Sequence, residues 1–404
     1  MGRRQCLRGR MRLGAAALTV RGQKMNTFAL ISRAFTISAG ATVLASCGGS
    51  QPPIGAPSAI LQSTTEHRGA VPTCGDRRIG HVRCQVSIET AAARSDKPEG
   101  WTPQDLEQAY NLPSSTKGAG QIVAVVDPYD NPDVASDLAE YRSTFKLPAA
   151  NFAKYNQEGQ QSNYPPSCEH YGWCLEIDSD VEMLSASCPN CTIYLIEATS
   201  NDWSDIEAAE AEAVTLGAHI VSNSYSGESG DKSYFDTPGV EYLAGTSGSG
   251  LSEPADFDSV VAVGATALAK GSGKRGWTET VWNDSSVGGC FKAVRRPPWQ
   301  HDQYCKHRLA NDVAANGTSV AEYDSLYGGW TVVDGSAIPT PFLAGVFGLA
   351  GNATKQRGGR TFWQPSNQEH LYPVTEGSFE CAYVDYPKYN SCTGWGTPDG
   401  IGAF

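Results

Sequence analysis

Gln121-Ile122-Val123-Ala124-Val125-Val126, closed by Asp127-Pro128, is an unbroken apolar run rich in β-branched residues. A strand with one wet face alternates polar and apolar residues, so this run predicts a strand buried on both faces. Pro132 then opens a segment in which Val134, Leu138, Tyr141 and Phe145 recur at helical spacing. Strand-like runs return at Thr192–Ile196, His219–Ser222 and Val260–Val263, and residues 202–216 (DWSDIEAAEAEAVTL) have helical periodicity between two of them. Strands alternating with helices predict an α/β fold, a mostly parallel central sheet with helices on both faces. Residues 100–404 form one such domain without internal repeats, and ligands of such sheets bind at the carboxyl ends of the strands.

Two motifs carry candidate chemistry. In Glu176-Ile177-Asp178-Ser179-Asp180, Leu175, Val181 and Leu184 supply the core contacts of a helix. Glu176 and Asp180, four residues apart, share one face, while Asp178 points elsewhere. Paired carboxylates push their pKa values apart, which is how a general base and its partner arise from one residue type. The bland alternative is a solvated acidic helix face. Further on, Trp330-Thr-Val-Val-Asp334-Gly335-Ser336-Ala337-Ile-Pro339-Thr-Pro341 runs from an apolar strand through a Gly-Ser turn into a small-residue helix. A serine at such a junction suits a nucleophile and equally suits a helix cap. His67, His81, His170, His219, His301, His307 and His370 are available for a conventional triad, yet none lies in a recognisable triad motif.

The N-terminus has a different character. Residues 1–46 hold eight basic residues and no acidic one, with a weakly apolar stretch from Phe28 to Ala45, the pattern of a targeting segment; Met25 is an alternative start. Leu44-Ala45-Ser46-Cys47 resembles a bacterial lipobox, predicting acylation at Cys47; an ordinary export signal is the alternative. The flexible, Gly/Pro/Ser-rich composition that follows predicts an N-terminal linker over 47–99. The whole chain carries 31 basic and 43 acidic residues, and without the leader its net charge becomes −20. That excludes a nucleic-acid footprint and leaves a membrane reachable through the lipid alone. Ten further cysteines fall in close pairs, Cys74 and Cys84, Cys168 and Cys174, Cys188 and Cys191, Cys290 and Cys305, Cys381 and Cys392. In an exported chain this predicts disulfides; the rival, a metal at Cys188-x-x-Cys191, lacks a second ligand pair.

The helix Glu-x-Asp-x-Asp, the following strand Cys191–Glu197 and the Gly-Ser turn before Pro341-Phe-Leu-Ala-Gly345 together resemble the sedolisin family of serine-carboxyl peptidases. Trp101-Thr-Pro-Gln-Asp-Leu-Glu-Gln-Ala-Tyr110-Asn-Leu-Pro113 and Gly120–Asp127 are similar to the start of that family's catalytic domain. The resemblance implies a subtilisin-like, three-layer fold, Glu176 as general base, Asp180 as its partner, and endoproteolysis at acid pH. Departures from the family pattern are as informative. Counting back from Pro341 without a gap puts Ala337 at the nucleophile position, beside Ser336. Thr246 stands where the family's oxyanion aspartate is expected; its hydroxyl donates one hydrogen bond without needing acid pH. The family's calcium site is degraded, with Pro373 lacking a side-chain oxygen and Asn390 lacking charge. A Cys381–Cys392 disulfide is expected to hold that loop instead, so no metal and no cofactor is expected. Only about fifty residues separate Cys47 from the catalytic-domain start, too few for the large folding domain that family members commonly carry.

The expectation is an exported, extracytoplasmic, monomeric homologue of an acid peptidase, deficient in proteolysis, with a peptide or protein as substrate or ligand. One alternative is an active endopeptidase using Ser336 with Glu176 and Asp180. Another is a non-catalytic, peptide-binding surface lipoprotein. A glycosidase fits less well, because its two carboxyl groups flank a sugar at a separation of at least about 5 Å.

Overall fold

The computed structural model describes residues 71–72, 79–88, 95–246, 252–282, 288–303, 305–377, 381, 384–385 and 389–404. Leader residues 1–46 and the lipidation candidate Cys47 lie outside these. All the described residues belong to one compact unit, Thr65–Phe404.

In chain order the elements that build the site are β1 (Arg83–Cys84), β2 (Val86–Ile88), β3 (Ile122–Pro128), α1 (Val134–Thr144) and β4 (Asn151–Asn156). Then come α2 (Cys174–Ser187), β5 (Thr192–Ala198), α3 (Trp203–Thr215), β6 (Ile220–Asn223), β7 (Tyr225–Ser226) and β8 (Glu241–Gly245). The second half adds β9 (Val260–Lys270), β10 (Trp277–Val281), β11 (Val313–Asn316), β12 (Val320–Asp324), β13 (Gly329–Gly335) and α4 (Pro339–Ala350).

The central sheet has eight strands in the order β10-β9-β8-β6-β3-β5-β4, with β11 also paired to β9. Seven run parallel, and β10 alone is antiparallel to its neighbour. Residues Val123–Pro128 of β3 are all buried, so both faces of the sheet are covered, as the apolar run required. Helices α2 and α4 pack on each other beside the sheet, and α3 covers β3 and β5. The close approach of α2 and α4 depends on Gly345, where a Cβ would stand 1.9 Å from Ser187 Oγ.

Part of the stretch expected as a linker is built into the fold. β1 pairs antiparallel with β7, and β2 pairs antiparallel with β13 and with residues Val71–Pro72. Val82 and Val86 are buried. Four expected disulfides are present, Cys168–Cys174, Cys188–Cys191, Cys290–Cys305 and Cys381–Cys392. Cys84 is also disulfide-bonded, while Cys74 lies outside the described residues. No described helix is long and apolar enough to cross a membrane.

Candidate active site

Helix α2 is buried along its whole length, charged residues included. Glu176 and Asp180 are fully buried there, Glu176 reaching Gln85 and Val86 at the start of β2, and Asp127, also fully buried, lies at the carboxyl end of β3. The register of the sheet sets Asp127 opposite Glu197 of β5. Burial raises all of these carboxyls above the usual carboxylate range, and each is pushed further by its neighbours: Glu176 by the Asp127 charge, Asp180 by Glu176, Asp127 by Asp180. Glu176 differs from the other two in having backbone donors. Its Oε2 accepts hydrogen bonds from the backbone N–H groups of Gln85 (3.1 Å) and Val86 (2.8 Å), which partly offset the rise. Neither oxygen of Asp127 has a hydrogen-bond partner among the described residues, and the Ser224 hydroxyl beside Asp180 partly offsets the rise there.

The Gly-Ser turn follows β13 and enters α4, as the sequence predicted. Ser336 is buried, and its hydroxyl donates to Gln85 Oε1 at 3.0 Å. Glu176 and Ser336 therefore meet through Gln85, one at its backbone and the other at its side chain. Ala337 is fully buried, and its carbonyl accepts the Ser224 hydroxyl at 3.3 Å. Thr246, expected as an oxyanion donor, has its Oγ1 at 2.6 Å from Asn311 Oδ1 and 3.1 Å from the Val263 carbonyl. A hydroxyl has one hydrogen, and here both nearby acceptors belong to the protein. None of the described histidines hydrogen-bonds Ser336: His81 pairs with Asp202 at 2.5 Å, and His219 Nδ1 faces the Gly239 carbonyl.

Among the described residues of the C-terminal loop, the two positions expected to bind a cation do not fit one. Asn390 Oδ1 accepts the Cys392 N–H at 2.8 Å, so its oxygen caps the backbone beside the disulfide, and Pro373 offers no side-chain oxygen. Asp137, Asp178 and Asp324 do bring carboxylate oxygens within 4.8 Å of one another. Each also accepts a protein donor, from Ser325, Asn131 and Tyr327 respectively.

Sequence reasoning missed two residues that the structure places at the centre. Asp127 carried a usable signal, an acidic residue at the carboxyl end of a buried strand. Gln85 carried none, since its segment shows neither periodicity nor a motif.

Kumamolisin from Bacillus sp. (strain MN-32) is 28% identical over 364 residues, covering 77% of this chain and 64% of that protein. This chain is a homologue of kumamolisin, a sedolisin-family peptidase. The match spans somewhat under two thirds of kumamolisin's own length. Pseudomonas sedolisin, a serine-carboxyl proteinase solved with two molecules of pseudo-iodotyrostatin, superposes with a TM-score of 0.64 at 20% identity, covering 75% of this chain and 96% of that one. A psychrophilic protease, S41, superposes with a TM-score of 0.51 at 18% identity over 76% of this chain and 99% of its own. The subtilisin-like α/β fold of the sedolisins is thus the fold of this chain. No family model matches the sequence.

Proposed function

We propose that this kumamolisin homologue is an exported protein that keeps the family's carboxyl pair and peptide cleft but has lost peptide-bond hydrolysis. The observation that carries this reading is the environment of residues 336 and 337. Acyl transfer needs a hydroxyl oxygen facing the scissile carbonyl and a base to take its proton. Ala337 has a methyl group at the family's nucleophile position. Ser336, the neighbouring residue, gives its hydroxyl hydrogen to an amide oxygen rather than to a carboxylate. Glu176, raised by burial and holding two backbone N–H groups, is poorly set to receive that proton at neutral pH. Thr246 directs its hydroxyl to Asn311 and Val263 in place of an oxyanion.

Removal of residues 1–46 and acylation of Cys47 would make the protein an extracytoplasmic, monomeric lipoprotein; the disulfides support an oxidising compartment. Metabolic labelling with a fatty acid, lost in Cys47→Ala, tests the anchor.

The experiment that tests the reading is hydrolysis of a denatured protein by purified residues 48–404 from about pH 3 to 8, with Ser336→Ala, Glu176→Gln and Ala337→Ser alongside. An inert wild type and activity in Ala337→Ser alone are expected. Turnover by the wild type, abolished by both Ser336→Ala and Glu176→Gln, would replace this reading with an active peptidase using Ser336.

A further inference from the structure

Residues 81–88 (His-Val-Arg-Cys-Gln-Val-Ser-Ile) cross the site as an extended strand bonded along both edges. Arg83 and Cys84 pair antiparallel with Ser226 and Tyr225 of β7 on one side. Val86, Ser87 and Ile88 pair antiparallel with Gly335, Asp334 and Val333 of β13 on the other. Between the two pairings lies Gln85, whose backbone meets Glu176 and whose side chain turns into a small enclosure. Its Nε2 donates to the Gly245 carbonyl at 3.1 Å, and its Oε1 accepts from Ser336 Oγ at 3.0 Å. A carbonyl can only accept, so the amide orientation is fixed: nitrogen toward Gly245, oxygen toward Ser336.

Two glycines make the space. A Cβ on Gly245 would stand 2.2 Å from Gln85 Oε1 and 2.9 Å from the Ser336 carbonyl. A Cβ on Gly335 would stand 2.4 Å from the Gln85 carbonyl oxygen and 3.0 Å from Val86 Cα. The enclosure thus offers one acceptor, one donor and room shaped by the absence of two side chains.

We infer that this enclosure is a subsite that reads a side-chain carboxamide on an extended peptide strand, that Ser336 is its positioning residue, and that the chain's own Gln85 strand is its resident occupant. The inference rests on the proposed reading of this groove as the peptide cleft. Extended strands added to exposed edges gain affinity from main-chain hydrogen bonds and specificity from side-chain pockets. A glutamine satisfies both groups of the pocket. A carboxylate of the same length would face the Gly245 carbonyl oxygen with no hydrogen to share, and an apolar side chain would leave both polar groups unpaired.

The test uses the full chain and reads thermal unfolding of Gln85→Glu and Gln85→Leu against wild type at the same pH. A protonated glutamate retains a donor and an acceptor, so Gln85→Glu melts within about 1 °C of wild type near pH 4 and falls about 2–4 °C or more below it by about pH 8. The substituted carboxyl has a raised folded pKa, so its stabilising contribution is present at low pH and lost as pH rises. Gln85→Leu melts lower at both. Gln85→Glu tracking wild type across this range, or Gln85→Leu equal to wild type, overturns the subsite. Ser336→Ala adds a double-mutant cycle: it lowers the wild-type melting temperature but not that of Gln85→Leu, and strict additivity overturns the coupling.

Residency is tested on the unmutated protein with a fluorescent peptide of residues 81–88 carrying serine in place of Cys84. No saturable binding up to about 100 µM is expected; tighter binding shows the groove empty and overturns the self-occupancy. None of these readouts involves hydrolysis, so turnover by the wild type would sink the catalytic reading and the self-occupancy while leaving the carboxamide pocket to be judged by the melting temperatures.

Discussion

Ser336 gives its hydroxyl hydrogen to the Gln85 amide oxygen 3.0 Å away, and the main chain of Gln85 in turn gives its N–H to Glu176 at 3.1 Å. One residue of the N-terminal strand thus separates the serine from the carboxylate that would have to activate it. The arrangement predicts what a restored nucleophile would meet first. In Ala337→Ser the new hydroxyl lies one residue beyond the serine that touches Gln85, so the strand already in the groove is the first peptide to test as its substrate. Acid incubation of Ala337→Ser is expected to cut the chain within residues 84–87, seen by intact-mass spectrometry, while wild type stays whole. Adding Glu176→Gln abolishes the cut. Removing a serine nucleophile costs on the order of 10⁶ in turnover, so even a poor restoration is visible over the wild-type background. An uncut Ala337→Ser chain that digests added protein would show that the strand leaves the groove.

The buried carboxyls make stability depend on pH in a definite direction. Burial raises Glu197 to about 9, despite the Lys154 ammonium 3.5 Å away, and raises Glu210 and Glu241 to about 8. Between the ordinary glutamate pKa and these values the folded protein holds protons that the unfolded chain has released. Stability is therefore fully present below about pH 4 for these groups and is lost as pH rises through about 8 to 9. Each retained proton steepens the loss by about 1.4 kcal/mol per pH unit. Melting temperatures measured from about pH 4 to 9 should fall, and Glu210→Gln, which keeps an acceptor for the Tyr225 hydroxyl at 2.9 Å, should flatten the alkaline part. A melting temperature that rises toward pH 8 contradicts this account.

What was legible before the structure was whatever leaves a period or a composition. Val123–Val126 announced a doubly buried strand, and the i, i+4 spacing of Glu176 and Asp180 put them on one face, because both signals are local. Counting back from Pro341 put Ala337 at the expected nucleophile position, which remains part of the proposed reading. The strand at 83–88 was illegible for the opposite reason. Its pairing partners, Tyr225–Ser226 and Val333–Gly335, lie some 140 and 250 residues away in sequence, and two or three residues of ladder carry no period. Asp178 was expected to point away from its two acidic neighbours, and the structure turns it toward Asn131, whose Nδ2 it accepts at 2.8 Å.

The helix pair that carries the site constrains one small residue. With Gly345 facing Ser187 Oγ at a would-be 1.9 Å, Gly345→Ala forces α2 and α4 apart or Ser187 out of its rotamer. Overpacking of this kind costs about 1–3 kcal/mol, readable as a lower denaturation midpoint at unchanged slope. Ser187→Ala in the same chain removes the clashing oxygen, which also gives up a 3.2 Å hydrogen bond to the Leu184 carbonyl, and should recover much of the loss. If the double variant is as unstable as Gly345→Ala alone, the clash is not the cause.

The C-terminal loop sets the last prediction. The family resemblance implies a calcium site in this loop, with Pro373 and Asn390 at two of its positions. Here Asn390 uses its side-chain oxygen on the Cys392 N–H, its own N–H on the Gly394 carbonyl at 3.0 Å, and Cys392 is tied to Cys381. Glu376 joins the loop to the sheet through its carbonyl, which accepts the Val281 N–H at 2.9 Å. Cys381, Cys392, Val281 and Val374 form a small apolar cluster of their own. We propose that covalent closure of the 11-residue separation, with this cluster, holds the loop without a cation; closing a loop of this size is worth about 3 kcal/mol. A chelator should therefore leave the melting temperature unchanged, whereas Cys381→Ser with Cys392→Ser lowers it. A chelator-induced drop, restored by added calcium, would show that oxygen ligands here hold an ion after all.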